Sequence, residues 1–228
     1  SPRNPFRDGA VQWRNYLLVA LMLHLGLRRG EPLLLLADAV KRERDPASGE
    51  IVHWINVIQT GDEIEDGRGD PPSAKTVNSV RQIPVSEDLA ALIDHYVINI
   101  RRRRRNPHLF LNRYGSPLSL RFVNEICKKI SQSLSEDAKR ALDRHMRVPR
   151  IRPHDLRHTC AVMFLAAQAE WGEDLDLAEQ RMRCFFGWSE GSRMPRRYAR
   201  GYYESALARL WNEKFGMHVD ILLRVDGA

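Results

Sequence analysis

The sequence is poor in cysteine and in long apolar runs, and each shortage closes off a class of protein. Its three cysteines, Cys127, Cys160 and Cys184, are widely spaced and odd in number. They form neither a disulfide framework nor a paired metal-ligand pattern, and they read as buried or half-buried thiols. No apolar run reaches the ~18 residues of a membrane span. The longest, Leu17–Leu27, is interrupted by His24 and followed by Arg28 and Arg29. Near the start, Arg3, Arg7 and Asp8 break any stretch that could act as a secretory leader. The expectation is a cytosolic (cytoplasmic) protein with no membrane partner. Internal repeats are missing too, as is low complexity beyond one arginine run. What remains is 228 residues with 43% hydrophobic content, an ordinary globular composition able to bury a substantial core.

Charge is the first positive feature. The chain carries a net charge of +7 with a pI near 9.6, which favours polyanionic partners without choosing among them. The cations are clustered. Arg101–Arg105 form an unbroken block, and Arg144, Arg147, Arg150, Arg152 and Arg157 recur over a short stretch. The block is either a solvated helix end, whose cations suit the C-terminal dipole, or a direct phosphate contact.

Periodicity places the elements. Residues 11–27 read as a buried helix. The segment Leu33–Lys41 leads into the turn cluster Asp45–Gly49, and Ile51–Ile58, rich in β-branched and aromatic residues, reads as a strand. Residues 60–73 form a Gly-, Asp- and Pro-rich loop before a third short strand at Val80–Val85. Further helices are expected over Asp88–Arg105 with Ser86 as cap, Leu120–Leu134, Asp155–Ala169, Leu175–Phe186 and Glu204–Phe215. Between Ser135 and Pro153 lies a charged connector. The fold class is therefore α+β, a mostly helical single domain over residues 1–228 with a small three-stranded antiparallel sheet on one side.

Four polar clusters interrupt these apolar patterns. Gly26-Leu27-Arg28-Arg29-Gly30-Glu31 closes the first helix. An arginine there must be paired or face a ligand, and Glu31 could hold Arg28 in place as a plain ion pair. His154-Asp155-Leu156-Arg157-His158-Thr159 opens a helix after Pro153. His154 and Arg157 share a face there, and the free N–H groups of a helix start add to an anion site. Gly187-Trp188-Ser189 precedes Tyr198, with Arg193, Arg196 and Arg197 between. Cations around a phenol favour its phenolate, of which only about one part in a thousand is present at neutral pH. The fourth cluster is Lys75 in Ala74-Lys75-Thr76, on the loop entering the third strand.

Read in order, G-L-R-R-G-E, A-K-T ahead of V-R-Q-I-P-V, H-D-L-R-H-T, and F-G-W with a downstream tyrosine resemble the phage integrase family, the tyrosine recombinases, over about residues 10 to 215. By that resemblance the chain is a catalytic domain that cuts and rejoins double-stranded DNA through a 3′-phosphotyrosyl intermediate, with no cofactor and no metal. Arg28 and Arg157 would bind the scissile phosphate, supported by Glu31 and His158. His154 would hydrogen-bond the phosphate and help manage protons. Trp188 would stand where members carry histidine or tryptophan, donating one hydrogen bond but unable to act as acid or base. Lys75 would protonate the departing 5′ oxygen, with Arg68 and Lys41 as alternatives. Tyr198 would be the nucleophile, in preference to Tyr202 and Tyr203. The partners implied are DNA and further copies of the chain in a tetrameric synapse, with Glu204–Phe215 as a contact between subunits. The family's separate helical DNA-clamping domain has no match in this chain. Other readings of the same residues are a DNA-binding module that has lost cutting and a type IB topoisomerase-like enzyme.

Overall fold

The computed structural model describes residues 4–57, 72, 80–102, 104–172 and 174–200. The chain divides into two compact units. The first comprises residues 1–160 and 185–187, and the second comprises residues 161–184 and 188–228. The helix expected over Glu204–Phe215 lies outside the described residues.

The first unit is built on α1 (Gly9–His24), capped by Asp8, whose side chain accepts from the Val11 amide at 2.9 Å. Leu17, Leu18, Leu21 and Met22 are wholly buried and form the centre of the core. The helix stops at His24, short of the expected Leu27, because Gly26 adopts a left-handed φ of +57°. Only glycine fits this turn comfortably: a Cβ would also lie 2.3 Å from the Phe186 ring and 3.2 Å from Cys160 Sγ.

Strands β1 (Val40–Arg44), β2 (Ile51–Val57) and β3 (Arg81–Val85) form one antiparallel sheet in the order β1-β2-β3. Ile55 faces Val40 on one side and Ile83 on the other. Ile55, Val57, Ile83 and Val85 turn inward on the period-two alternation of a half-buried sheet. β1 takes only the last two residues, Val40 and Lys41, of the Leu33–Lys41 segment that precedes the turn and runs on to Arg44. Leu33, Leu34 and Leu35 are all buried, a continuous apolar run that serves a 3₁₀ turn at Glu31–Leu33 rather than an alternating strand.

Helix α2 (Glu87–His95) is capped by Ser86, whose hydroxyl accepts from the Leu89 amide at 3.3 Å. It continues as a π-helical turn over Tyr96–Arg101 and ends at Arg102, with φ +56°, short of the expected Arg105. Helix α3 (Leu120–Ser133) sends Val123, Ile126 and Cys127 into the core. The charged connector is itself largely helical, as α4 (Glu136–Met146). Helices α5 (Pro153–Glu170) and α6 (Leu175–Phe186) follow.

In the second unit, Ala161, Leu165, Ala178 and Met182 are buried, together with Tyr198 and Ala199 from a helical stretch over residues 194–200. Arg181 donates to Gln168 at 3.0 Å, and the buried Glu179 pairs with Arg183 at 3.1 Å and Arg196 at 3.6 Å. No described helix is long and apolar enough to cross a membrane.

Candidate active site

The left-handed turn at Gly26 places Arg28 immediately after the core helix. Its guanidinium Nη1 donates to Glu31 Oε1 at 2.7 Å and its backbone amide donates to Glu31 Oε2 at 2.8 Å. Its Nη2 donates to the Gly187 carbonyl at 3.0 Å. Glu31 is buried, and a second arginine reaches it from the first residue of β3. Arg81 Nη1 donates to Oε1 at 3.1 Å and Nη2 to Oε2 at 3.0 Å, the parallel pair that a planar guanidinium makes best with a carboxylate. Burial pushes the Glu31 carboxyl pKa up. The hydrogen bonds and charge of Arg81, with the two bonds from Arg28, more than offset this and hold it below its ordinary value.

Arg157, on the first turns of α5, is buried. Its Nη1 donates to the Gly26 carbonyl at 2.5 Å and its Nη2 to the Phe186 carbonyl at 2.6 Å. The guanidinium lies over the Phe186 ring, 5.0 Å from its centroid. Arg81 Nε donates to the Phe185 carbonyl at 2.8 Å. Three guanidiniums thus bind three consecutive carbonyls, those of Phe185, Phe186 and Gly187, where α6 ends. A helix C-terminus offers carbonyls without helical partners and the negative end of the dipole, so cations gather there. Gly187, at φ +60°, turns the chain away at that point.

The other expected residues fall as follows. His154 is exposed on the first turn of α5, one turn before Arg157, and His158 is exposed one turn after His154. Thus Arg157 points inward while both histidines are accessible on the same helix. In the second unit, the Trp188 amide donates to the Arg183 carbonyl at 3.0 Å, which fixes the exit from α6. Its indole stacks on Tyr198, with ring centroids 5.6 Å apart and planes at 12°. Tyr198 is 4% exposed, whereas Arg193, Arg196 and Arg197 around it are exposed. Lys75, Arg68, Tyr202 and Tyr203 lie outside the described residues. Lys41 is on β1, its ammonium 3.4 Å from Asp38.

Arg81 does not stand out in the sequence as a site residue, although it lies in the V-R-Q-I-P-V stretch. The signal was available: Ile83 and Val85 face the core, so two-residue alternation points Arg81 inward as well. An arginine at an inward strand position needs a carboxylate partner. Among the described residues, no group of three or more histidine, cysteine, aspartate or glutamate side chains is placed to hold a metal ion.

The three-stranded sheet and the mostly helical fold agree with comparison to known proteins. The model of the phage integrase family matches residues 6–205, and the chain belongs to that family. Among solved structures, XerH site-specific recombinase bound to palindromic difH substrate, in a post-cleavage complex, is similar with a TM-score of 0.58 at 18% identity. That match covers 90% of this chain and 47% of the other. XerA recombinase is similar with a TM-score of 0.53 at 16% identity, covering 88% of this chain and 56% of the other. At such identities the likeness is one of fold. The chain spans about half the length of these structures. No curated protein matches it in sequence.

Proposed function

We propose that this chain is the catalytic domain of a site-specific recombinase that cuts and rejoins double-stranded DNA through a covalent tyrosine–phosphate bond. The observation that supports it most is the arrangement of Arg28 and Arg157 on adjacent carbonyls, those of Gly187 and Phe186. Two planar cations fixed side by side by backbone atoms suit two non-bridging oxygens of one phosphate, and they stay charged at any working pH. Negative charge grows on those oxygens as the fifth bond to phosphorus forms. Donors already fixed in place stabilise that charge with little reorganisation.

In this reading the Tyr198 oxygen attacks phosphorus, the P–O5′ bond breaks, and the product is a 3′-phosphotyrosyl ester and a free 5′ hydroxyl. Lys75 supplies the proton to the departing 5′ oxygen. His154, accessible beside Arg157, hydrogen-bonds the phosphate and takes part in removing the phenol proton. The ester conserves the energy of the broken bond, so a 5′ hydroxyl attacking it reverses the step and rejoins a strand without an external energy source. Trp188 stacks against the nucleophile and keeps the phenol ring in one orientation. No step calls on a metal or a cofactor. Working complexes with several copies of the chain on DNA follow from the exchange of strands between two duplexes.

The test is covalent trapping on nicked suicide DNA from the cognate site with EDTA present. We expect a protein–DNA adduct for the wild type and its loss in Tyr198→Phe, with Tyr202→Phe and Tyr203→Phe unaffected. Loss in one of the latter two instead would keep the reaction and move the nucleophile. Intact binding to a verified site with no adduct would overturn the reading in favour of a binding module.

A further inference from the structure

We propose that Arg81 is a positioning residue for Arg28, acting through Glu31; this rests on the reading of Arg28 as a phosphate ligand. Each oxygen of Glu31 serves both arginines. Oε1 accepts from Arg28 Nη1 at 2.7 Å and from Arg81 Nη1 at 3.1 Å. Oε2 accepts from the Arg28 amide at 2.8 Å and from Arg81 Nη2 at 3.0 Å. The carboxylate that fixes both the backbone and the side chain of Arg28 is itself held by Arg81. Arg81 is tied in turn to the Phe185 carbonyl, next along the chain from the two carbonyls that hold Arg157 and Arg28.

The Arg28 side chain is 27% exposed, while those of Arg81 and Glu31 are 5% and 3% exposed. All three guanidinium nitrogens of Arg81 are engaged within the fold, two by Glu31 and one by the Phe185 carbonyl, so Arg81 works at one remove. Its work needs a fork and not merely a charge: two parallel bonds to the carboxylate and a third, from Nε, to a carbonyl. A lysine carries the charge on a single nitrogen and cannot span these acceptors with the same geometry. With lysine in place, Glu31 keeps a counter-ion but gains freedom to rotate, and Arg28 rotates with it. Misplacement of a phosphate ligand by about 1 Å slows a positioned reaction by about 100-fold.

The experiment uses the full chain and three variants, Arg81→Lys, Arg28→Ala and the double variant, with Arg81→Met as a check on charge. Three readouts are taken: single-turnover cleavage, DNA affinity, and the guanidinium NMR signals of Arg28. We expect Arg81→Lys to fold and to bind DNA within about threefold of wild type, yet to cleave about 10- to 100-fold more slowly. In the Arg28→Ala background the same change should have almost no further effect on cleavage. The Arg28 guanidinium N–H signals, resolved in the wild type by hindered rotation, should broaden or merge in Arg81→Lys. Losses that add in the double variant, or that track melting temperature across Arg81→Lys and Arg81→Met, would overturn the proposal. So would unchanged Arg28 signals in Arg81→Lys. A wild type that forms no adduct overturns the recombinase reading instead, and the NMR comparison still decides whether Arg81 orders Arg28.

Discussion

Glu31 is a carboxylate almost without solvent, and four donors from two arginines keep it ionised. Its pKa in the folded chain lies below its ordinary value, the net result of burial pushing it up and Arg81 and Arg28 pulling it down. In the unfolded chain the group returns to an ordinary glutamate value of about 4.5. The sign follows from linkage: the unfolded state takes up a proton first as pH falls. Glu31 therefore contributes its full stabilisation above about pH 4.5 and loses it as pH drops through the lower folded value. Removing one partner of a buried pair costs about 3–5 kcal/mol, because the remaining charges stay buried. Glu31→Gln should be less stable than wild type by that order at pH 7, and the difference should shrink as pH falls toward 3. Denaturant unfolding at a series of pH values checks this. A gap that stayed constant from pH 7 to pH 3 would mean that ionised Glu31 is not what the arginines stabilise.

At the scale of elements, α4 shows how a helix can form on a thin apolar face: Ala138, Ala141 and Leu142 lie at helical spacing and are only half-buried. Ser135 caps it by accepting from the Ala138 amide at 3.2 Å, and Glu136 and Asp137 stand in its first turn, where the dipole favours acids. Lys139–Glu136 and Arg140–Asp137 add ion pairs at three-residue spacing; being exposed, each contributes little. The cap should dominate: Ser135→Ala should cost about 1 kcal/mol, and Lys139→Ala well under half of that, in chemical denaturation. The same contrast explains what could be read beforehand. Helices with an apolar stripe, such as Leu120–Ser133 and Leu175–Phe186, stood out because burial imposes the 3.6-residue period. α4 did not, since the apolar positions on its face are few and small among charged residues. The start of β1 has no such mark, because a run of buried leucines carries no alternation to show where a strand begins. The site was legible in the same uneven way. Arg28, Glu31 and Arg157 stood out because charges interrupt apolar segments. Arg81 needed the strand register before its inward direction had meaning, and the sequence marks the end of α6 by Gly187 without telling what its last carbonyls bind.

For the whole molecule, the net charge of +7 conceals cations with different duties, and the arginine block divides along this line. Arg101 is buried, its guanidinium donating to the carbonyls of His108, Arg102 and Asn106 at 3.0, 3.1 and 2.6 Å. It closes the turn after the π-helical segment, and its charge stays within the fold. Arg102, Arg104 and Arg105 are exposed, and their long side chains can follow a polyanion. If the chain binds DNA as proposed, each phosphate neutralised releases condensed counterions, and log K falls with log salt by about 0.9 per contact. Arg101→Gln should lower thermal stability and leave that slope unchanged. The triple change of Arg102, Arg104 and Arg105 to glutamine should leave stability within about 0.5 kcal/mol while reducing the slope by about 2–3. Fluorescence anisotropy on a duplex across a salt series measures both. A slope that survived the triple change would make the exposed arginines a solvated helix end, and would assign the salt dependence of binding to cations elsewhere, such as those around Arg28.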